Sequence, residues 1–141
     1  MSNLNRRPIG LSIAAILAVL FGGLTIMSGG QALFGPPEAR AAVGNAVPFV
    51  LWFNFMAGFA YVVAGIGLWA RHGWAVWLAG AIALSTLLVF AAFGLVVLQG
   101  SAYEVRTAGA MTLRAAFWLA VFFVARRSQT KLASGTVEKA Q

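Results

Sequence analysis

Four long runs of apolar residues constrain this chain more than any other feature. They cover about residues 9–27, 48–70, 74–98 and 107–125. Each can supply the roughly 20 residues that an α-helix needs to cross a hydrocarbon core about 30 Å thick. In lipid the backbone must form its hydrogen bonds internally, and these runs lack the alternation of barrel strands. We therefore predict an all-α integral membrane protein with four transmembrane helices.

The composition favours the same class of protein. Hydrophobic residues make up 61% of the 141 residues and charged residues only 9%, whereas soluble domains contain about 25% charged residues. The length suits a single domain, which we place at residues 1–127. Residues 128–141 are polar, small and mixed in charge, so we expect a disordered tail there.

The positions of the charges predict how the chain is threaded. Cations precede the first run, occupy the turn at Arg71 and His72, and follow the fourth run, whereas the other two connections each hold one arginine and one glutamate. By the positive-inside rule both termini are cytoplasmic. We predict an antiparallel four-helix transmembrane bundle in the cell inner (plasma) membrane.

The basic charge and the arginines near the amino terminus have alternative interpretations. The net charge of +7 is explained by topology and by attraction to anionic membrane lipids, and no basic patch with interleaved aromatics indicates nucleic-acid binding. Arg6 and Arg7 before an apolar run also suit a secretion signal. The run is longer than a signal core and lacks a clear cleavage site, so we favour a transmembrane helix.

Small residues at helical spacing predict where the helices pack closely. One stripe contains Gly22, another contains Gly58 and Gly65, and the fourth run carries a ridge of Thr112, Ala116 and Ala120. Such stripes allow two helix backbones to approach each other in a membrane. We expect all of these residues to serve helix packing. The second stripe also includes Asn54, which we expect to form a hydrogen bond with a neighbouring helix.

Arg114 is the most informative residue, because a cation at membrane depth is costly unless it is partnered, reaches the interface or has a function. Its predicted depth matches that of Asn54, beneath a loop that carries Tyr103 and Glu104. These four residues form our candidate ligand-binding site. Three alternatives remain open: an outer pocket for an anionic or carbonyl-bearing ligand, a structural pair of Arg114 with Glu104, or an arginine that reaches lipid phosphate.

The residue types present exclude several classes of function. The sequence has no cysteine and one histidine, and its three acidic residues are glutamates outside the apolar runs. We therefore expect no metal, no cofactor and no catalysis by this chain alone. We predict an accessory or interaction subunit that docks onto itself or another membrane protein. The alternative is a binding or transport module for an anionic lipid headgroup, a quinone or a small solute.

Overall fold

A computed structural model gives the fold of residues 8–138, except for the side chains of residues 132 and 136. The structure is 86% helix, without strands in the described range. Its elements are α1 (Ile9–Phe34), α2 (Pro37–Ala41), α3 (Pro48–Trp69), α4 (Gly73–Leu98) and α5 (Val105–Glu138). Helices α1, α3, α4 and α5 are long and apolar enough to cross a membrane. This confirms the prediction of an all-α protein with four candidate membrane spans; Arg6, Arg7 and Lys139 lie outside the described residues.

Helix α1 extends to Phe34, seven residues beyond the predicted end at Met27. The added residues include Gly29 and Gly30, and glycine has a low helix propensity. In the structure Gly29 is buried, and a β-carbon built on it would lie 3.1 Å from the β-carbon of Phe55 in α3. The glycine therefore allows close helix contact instead of ending the helix, and packing outweighs its low helix propensity.

Helix α5 continues without interruption to Glu138, through most of the segment where the sequence predicts a disordered tail. The hydroxyls of Thr130 and Ser134 donate hydrogen bonds to carbonyls in the preceding turn. A segment that follows an existing helix avoids the cost of nucleation and adds one backbone hydrogen bond per residue. Residues 139–141 of the predicted tail lie outside the described residues.

Close contact between α1 and α3 depends on the predicted glycines. A β-carbon built on Gly22 would lie 2.8 Å from the carbonyl oxygen of Gly58. A β-carbon on Gly65 would lie 2.9 Å from the carbonyl oxygen of Ala15. Both distances are shorter than a carbon–oxygen contact allows, so the two backbones could not approach this closely with any larger residue.

The main core contains side chains from all four long helices, with Trp118, Tyr61 and Leu68 among its largest fully buried members. The ridge predicted on α5 does not belong to it, because Thr112, Ala116 and Ala120 are exposed. The predicted role of these three residues in helix packing therefore has no contact within the bundle and stays a prediction. The side of α5 that carries Trp118 is directed towards the core instead, because Trp118 is buried there. Arg114 precedes Trp118 by four residues and lies on the same side of the helix.

The turns that follow α3 and α4 have the same hydrogen-bond pattern. The amides of Arg71 and His72 donate to the carbonyls of Leu68 and Gly67, and those of Gly100 and Ser101 donate to Val97 and Val96. Both patterns are Schellman closures, in which the first of the two residues is left-handed. Gly100 has φ 89° and Arg71 has φ 62°. Arg71 thus adopts, at a turn, a conformation that normally favours glycine.

Candidate functional site

A polar cleft lies where α3 and α5 meet the connection between α2 and α3. Its volume is about 230 Å³. The connections 35–47 and 99–104 meet beside it, and we call this the loop end of the molecule. The cleft is lined by Ala42, Val43, Asn54, Glu104, Arg106, Thr107, Ala110 and Arg114.

Two hydrogen bonds hold the loop end together and form the rim of the cleft. The backbone amide of Asn45 donates to Oε1 of Glu104 at 3.0 Å. The Nη2 group of Arg106 donates to the carbonyl oxygen of Ala42 at 3.1 Å. Gly44 has φ 61° and lies directly against the Glu104 carboxylate, where a β-carbon would collide with it. The short connection is thus fixed to the start of α5 by two side chains that are 59 and 64 residues away in sequence.

Arg114 lies on the wall of the cleft, half-buried, with its guanidinium over the ring of Phe21 at 5.7 Å from the ring centroid. This cation–π contact is how α1 stabilises the charge. The Nε group is buried without a hydrogen-bond acceptor. No ion pair joins Arg114 to Glu104 in the described part of the chain. Of the three alternatives, the structural pair of Arg114 with Glu104 is therefore not formed in this structure.

Asn54 faces the same cleft from α3. Its Oδ1 atom is buried and has no hydrogen-bond donor within residues 8–138, so the bond to a neighbouring helix that the sequence suggested is not formed. A buried amide oxygen without a partner is unfavourable, particularly in lipid where water is scarce. Asn54 and Arg114 both line the cleft, and each has a buried polar atom that forms no hydrogen bond of regular geometry.

Tyr103 is the one predicted site residue that the structure does not bring into the cleft. Its side chain is 43% exposed, and its ring meets the edge of Phe93 in α4 with centroids 6.0 Å apart. The preceding loop turns it towards α4, whereas its neighbour Glu104 turns towards Asn45. Adjacent residues in an irregular segment need not share a face, so similar depth does not place both side chains in the cleft.

The cleft has the chemistry of an anion-binding site. Two guanidinium groups and one carboxylate line it, so its formal charge is positive. A guanidinium offers a planar fork of donors that matches carboxylate and phosphate oxygens. The acidic and histidine side chains of the described residues form no group of three that could hold a metal ion.

A second group of polar atoms lies deeper in the core and was not predicted. The hydroxyl of Tyr61, the hydroxyl of Thr86 and the indole Nε1 of Trp118 are buried, and none forms a hydrogen bond of regular geometry. The Tyr61 hydroxyl nevertheless lies near Thr86, Trp118 and the charge of Arg114. The hydroxyl of Ser85, the residue before Thr86, instead donates to the carbonyl oxygen of Ile82 in its own helix at 3.1 Å.

Comparisons with known proteins do not extend this description. No protein-family model, curated protein or solved structure matches the chain. The function proposed below therefore rests on the geometry and charge of the cleft.

Proposed function

We propose that this protein is a membrane-embedded binding module whose cleft holds an anionic group, a phosphate or a carboxylate. The observation that carries the proposal is the convergence of Arg114 and Asn54 on one cleft, where Arg114 Nε and Asn54 Oδ1 are buried and form no hydrogen bond of regular geometry. Arg106 adds a second cation at the rim. A bound oxyanion would accept from the guanidinium, and a protonated or hydroxyl-bearing part of the same ligand would donate to Asn54.

The proposal includes an orientation in the cell inner membrane. Helix α1 contacts α3 through Ala15 with Gly65 and through Gly29 with Phe55, an order that supports an antiparallel four-helix bundle. Arg71, Arg126, Arg127 and Lys131 gather at the end opposite the cleft. With that end cytoplasmic, as the positive-inside rule favours, both termini are inside and the cleft opens to the outer side. These cations would also attract anionic membrane lipids.

Binding of an anionic lipid to two variants tests the cleft. The protein in phosphatidylcholine nanodiscs is titrated with phosphatidylglycerol, and bound lipid is counted by native mass spectrometry. We expect Arg114→Lys to weaken binding about 10-fold or more, because a charge-assisted hydrogen bond contributes about 1.5–3 kcal/mol. Arg40→Lys is the matched control, since Arg40 is exposed on α2 and does not line the cleft.

The outcomes separate the possible sources of the anion. Loss with Arg114→Lys alone supports a lipid headgroup in the cleft. A different result identifies a free solute as the ligand: soluble glycerol phosphate binds in a way that depends on Arg114, whereas binding of phosphatidylglycerol does not depend on Arg114. Equal binding of both probes by wild type, Arg114→Lys and Arg40→Lys removes the cleft from consideration.

A specific observation also favours a second function, that of an accessory or interaction subunit. The exposed ridge of Thr112, Ala116 and Ala120 offers a surface of small side chains on a lipid-facing helix, and such surfaces allow close helix docking. We propose that another membrane protein or a second copy of the chain docks there. We expect native mass spectrometry of the purified protein to show an associated complex. Ala116→Trp should abolish this complex, whereas Ala81→Trp, at an exposed alanine of α4, should not. Equal masses for both variants and wild type would contradict docking at the ridge.

A further inference from the structure

A second cavity lies at the end of the bundle opposite the cleft, between the start of α1 and the last part of α5. Its volume is about 270 Å³, and it is lined by Pro8, Val124, Arg127, Ser128 and Lys131. The two helices come into contact beside it, because a β-carbon built on Gly10 would lie 3.5 Å from Cγ1 of Val124. We call this space the basal cavity.

The basal cavity lies at the level where the membrane spans end. Arg127 is 22 residues after the start of α5, which is about 33 Å along the helix, and the hydrocarbon core of a bilayer is about 30 Å thick. Gln129 is at the level of the first residue of α4, since a β-carbon built on Gly73 would lie 3.4 Å from Nε2 of Gln129. Val124 lies about 4.5 Å before Arg127 along the helix. The cavity therefore crosses the boundary between acyl chains and headgroups.

The two cations of the basal cavity have no partner of opposite charge. Arg127 and Lys131 are four residues apart and share one face of α5, and no acidic residue lines the cavity. Within residues 8–138 neither side chain forms an ion pair or a hydrogen bond. The neighbouring Arg126 differs, because its guanidinium lies over the ring of Phe122 at 5.9 Å from the centroid. Like charges at this spacing repel each other, so an anion between Arg127 and Lys131 would be stabilising.

We propose that the basal cavity binds an anionic phospholipid. The phosphate lies between Arg127 and Lys131, and the first part of an acyl chain lies against Val124. The hydroxyl of Ser128 already donates to the carbonyl oxygen of Val124 at 3.0 Å, so the two cations hold the phosphate. Basic pockets between membrane helices are suited to lipid headgroups. In the proposed orientation this lipid belongs to the cytoplasmic leaflet, and its site does not depend on the cleft at the loop end.

Two adjacent cations of α5 provide a matched test of this site. The protein in phosphatidylcholine nanodiscs is titrated with phosphatidylglycerol, and bound lipid is counted by native mass spectrometry. We expect Arg127→Gln to weaken binding about 10-fold, and Lys131→Gln to weaken it several-fold. Arg126→Gln removes the same charge from the next position but should change binding less than two-fold. Equal weakening by Arg126→Gln and Arg127→Gln would indicate diffuse attraction and would overturn the proposal.

The same comparison in Arg114→Lys protein separates the basal cavity from the cleft. Arg114 is 13 residues before Arg127 on α5, or about 20 Å along the helix, and it does not line the basal cavity. We therefore expect the effect of Arg127→Gln to be the same in both backgrounds. Loss of the Arg127 effect in Arg114→Lys protein would assign the bound lipid to the cleft and contradict a second site.

Filling the apolar part of the cavity tests the position of the acyl chain. Val124→Trp leaves both cations in place, and we expect it to weaken binding of phosphatidylglycerol several-fold. Phe123→Trp is the control, because Phe123 is 56% exposed on the same helix and does not line the cavity. Unchanged binding by Val124→Trp would place the lipid elsewhere. Binding of soluble glycerol phosphate that depends on Arg127 would identify a free phosphate as the ligand and overturn the assignment to lipid.

Discussion

Glu104 has two effects on the cleft that can be separated by one substitution. It accepts a hydrogen bond from the Asn45 amide, and it adds a negative charge to a cleft that also contains Arg106 and Arg114. The carboxamide of glutamine keeps an acceptor in the same position but removes the charge. The structural and electrostatic effects of this side chain therefore separate in Glu104→Gln.

We predict that Glu104→Gln tightens binding of phosphatidylglycerol by the protein. A negative charge near a bound anion is repulsive, and the repulsion is screened less in a half-buried cleft than in water. An increase of a few-fold, measured by the same nanodisc titration, is expected with little change in melting temperature. Glu104→Ala should instead lower the melting temperature, because it also removes the acceptor for Asn45. Weaker binding by Glu104→Gln would indicate a cationic or neutral ligand.

At the scale of single helices, the contact between α1 and α3 is the element most sensitive to substitution. Gly22 and Gly23 are adjacent in α1 but have different surroundings. A β-carbon on Gly22 would lie 2.8–2.9 Å from atoms of Gly58 and Val62, whereas a β-carbon on Gly23 would have nothing within 4 Å. The two positions form a matched pair for measuring the cost of separating the helices.

We predict that Gly22→Ala destabilises the protein by about 1–3 kcal/mol, the usual cost of overpacking a tight contact. Gly23→Ala should be neutral or stabilising by up to about 1 kcal/mol, because alanine is the better helix former. Equilibrium unfolding in detergent by a denaturant measures both differences. Equal stabilities of the two variants would show that the helices are not held at this distance.

The sequence was informative about which helices exist and where two of them come into close contact. The four apolar runs predicted the existence of the four long helices, because length and hydropathy decide whether a helix can cross lipid. The small stripes located Gly22, Gly58 and Gly65 at close contacts. The ridge on α5 is exposed in the structure, since spacing alone shows which residues share a face and not what that face contacts.

The sequence predicted part of the candidate site, because positions along the helices determine the depth of each residue. Arg114 and Asn54 line one cleft because they lie at similar depth on neighbouring helices, and Glu104 lines it from the loop above them. The partner of Arg114 could not be predicted, because Phe21 approaches it from α1, which requires knowledge of how α1 is rotated. Tyr61, Thr86 and Trp118 were missed because each residue type is common in apolar helices.

At the scale of the whole molecule, the proposed topology predicts that the two ends of the bundle lie on opposite sides of the membrane. The chain has no cysteine, so single cysteines can report their location without a background. Ser101→Cys, at the loop end, should react with a membrane-impermeant maleimide in intact cells. Ser134→Cys, in the extension of α5, should react only after lysis. The reverse pattern would place the cleft on the cytoplasmic side and contradict the assigned topology.

Occupancy of the cleft is the central claim, and protection of a cysteine at Thr107 tests it most directly. Thr107 lines the cleft and is partly buried, so Thr107→Cys places a thiol at the proposed ligand position. The rate of its reaction with a small maleimide is measured in phosphatidylcholine nanodiscs with and without phosphatidylglycerol or glycerol phosphate. We predict that one of these anions slows the reaction, and that Arg114→Lys in the same protein removes the protection. Rates that neither anion alters would contradict an anion-binding cleft at Arg114.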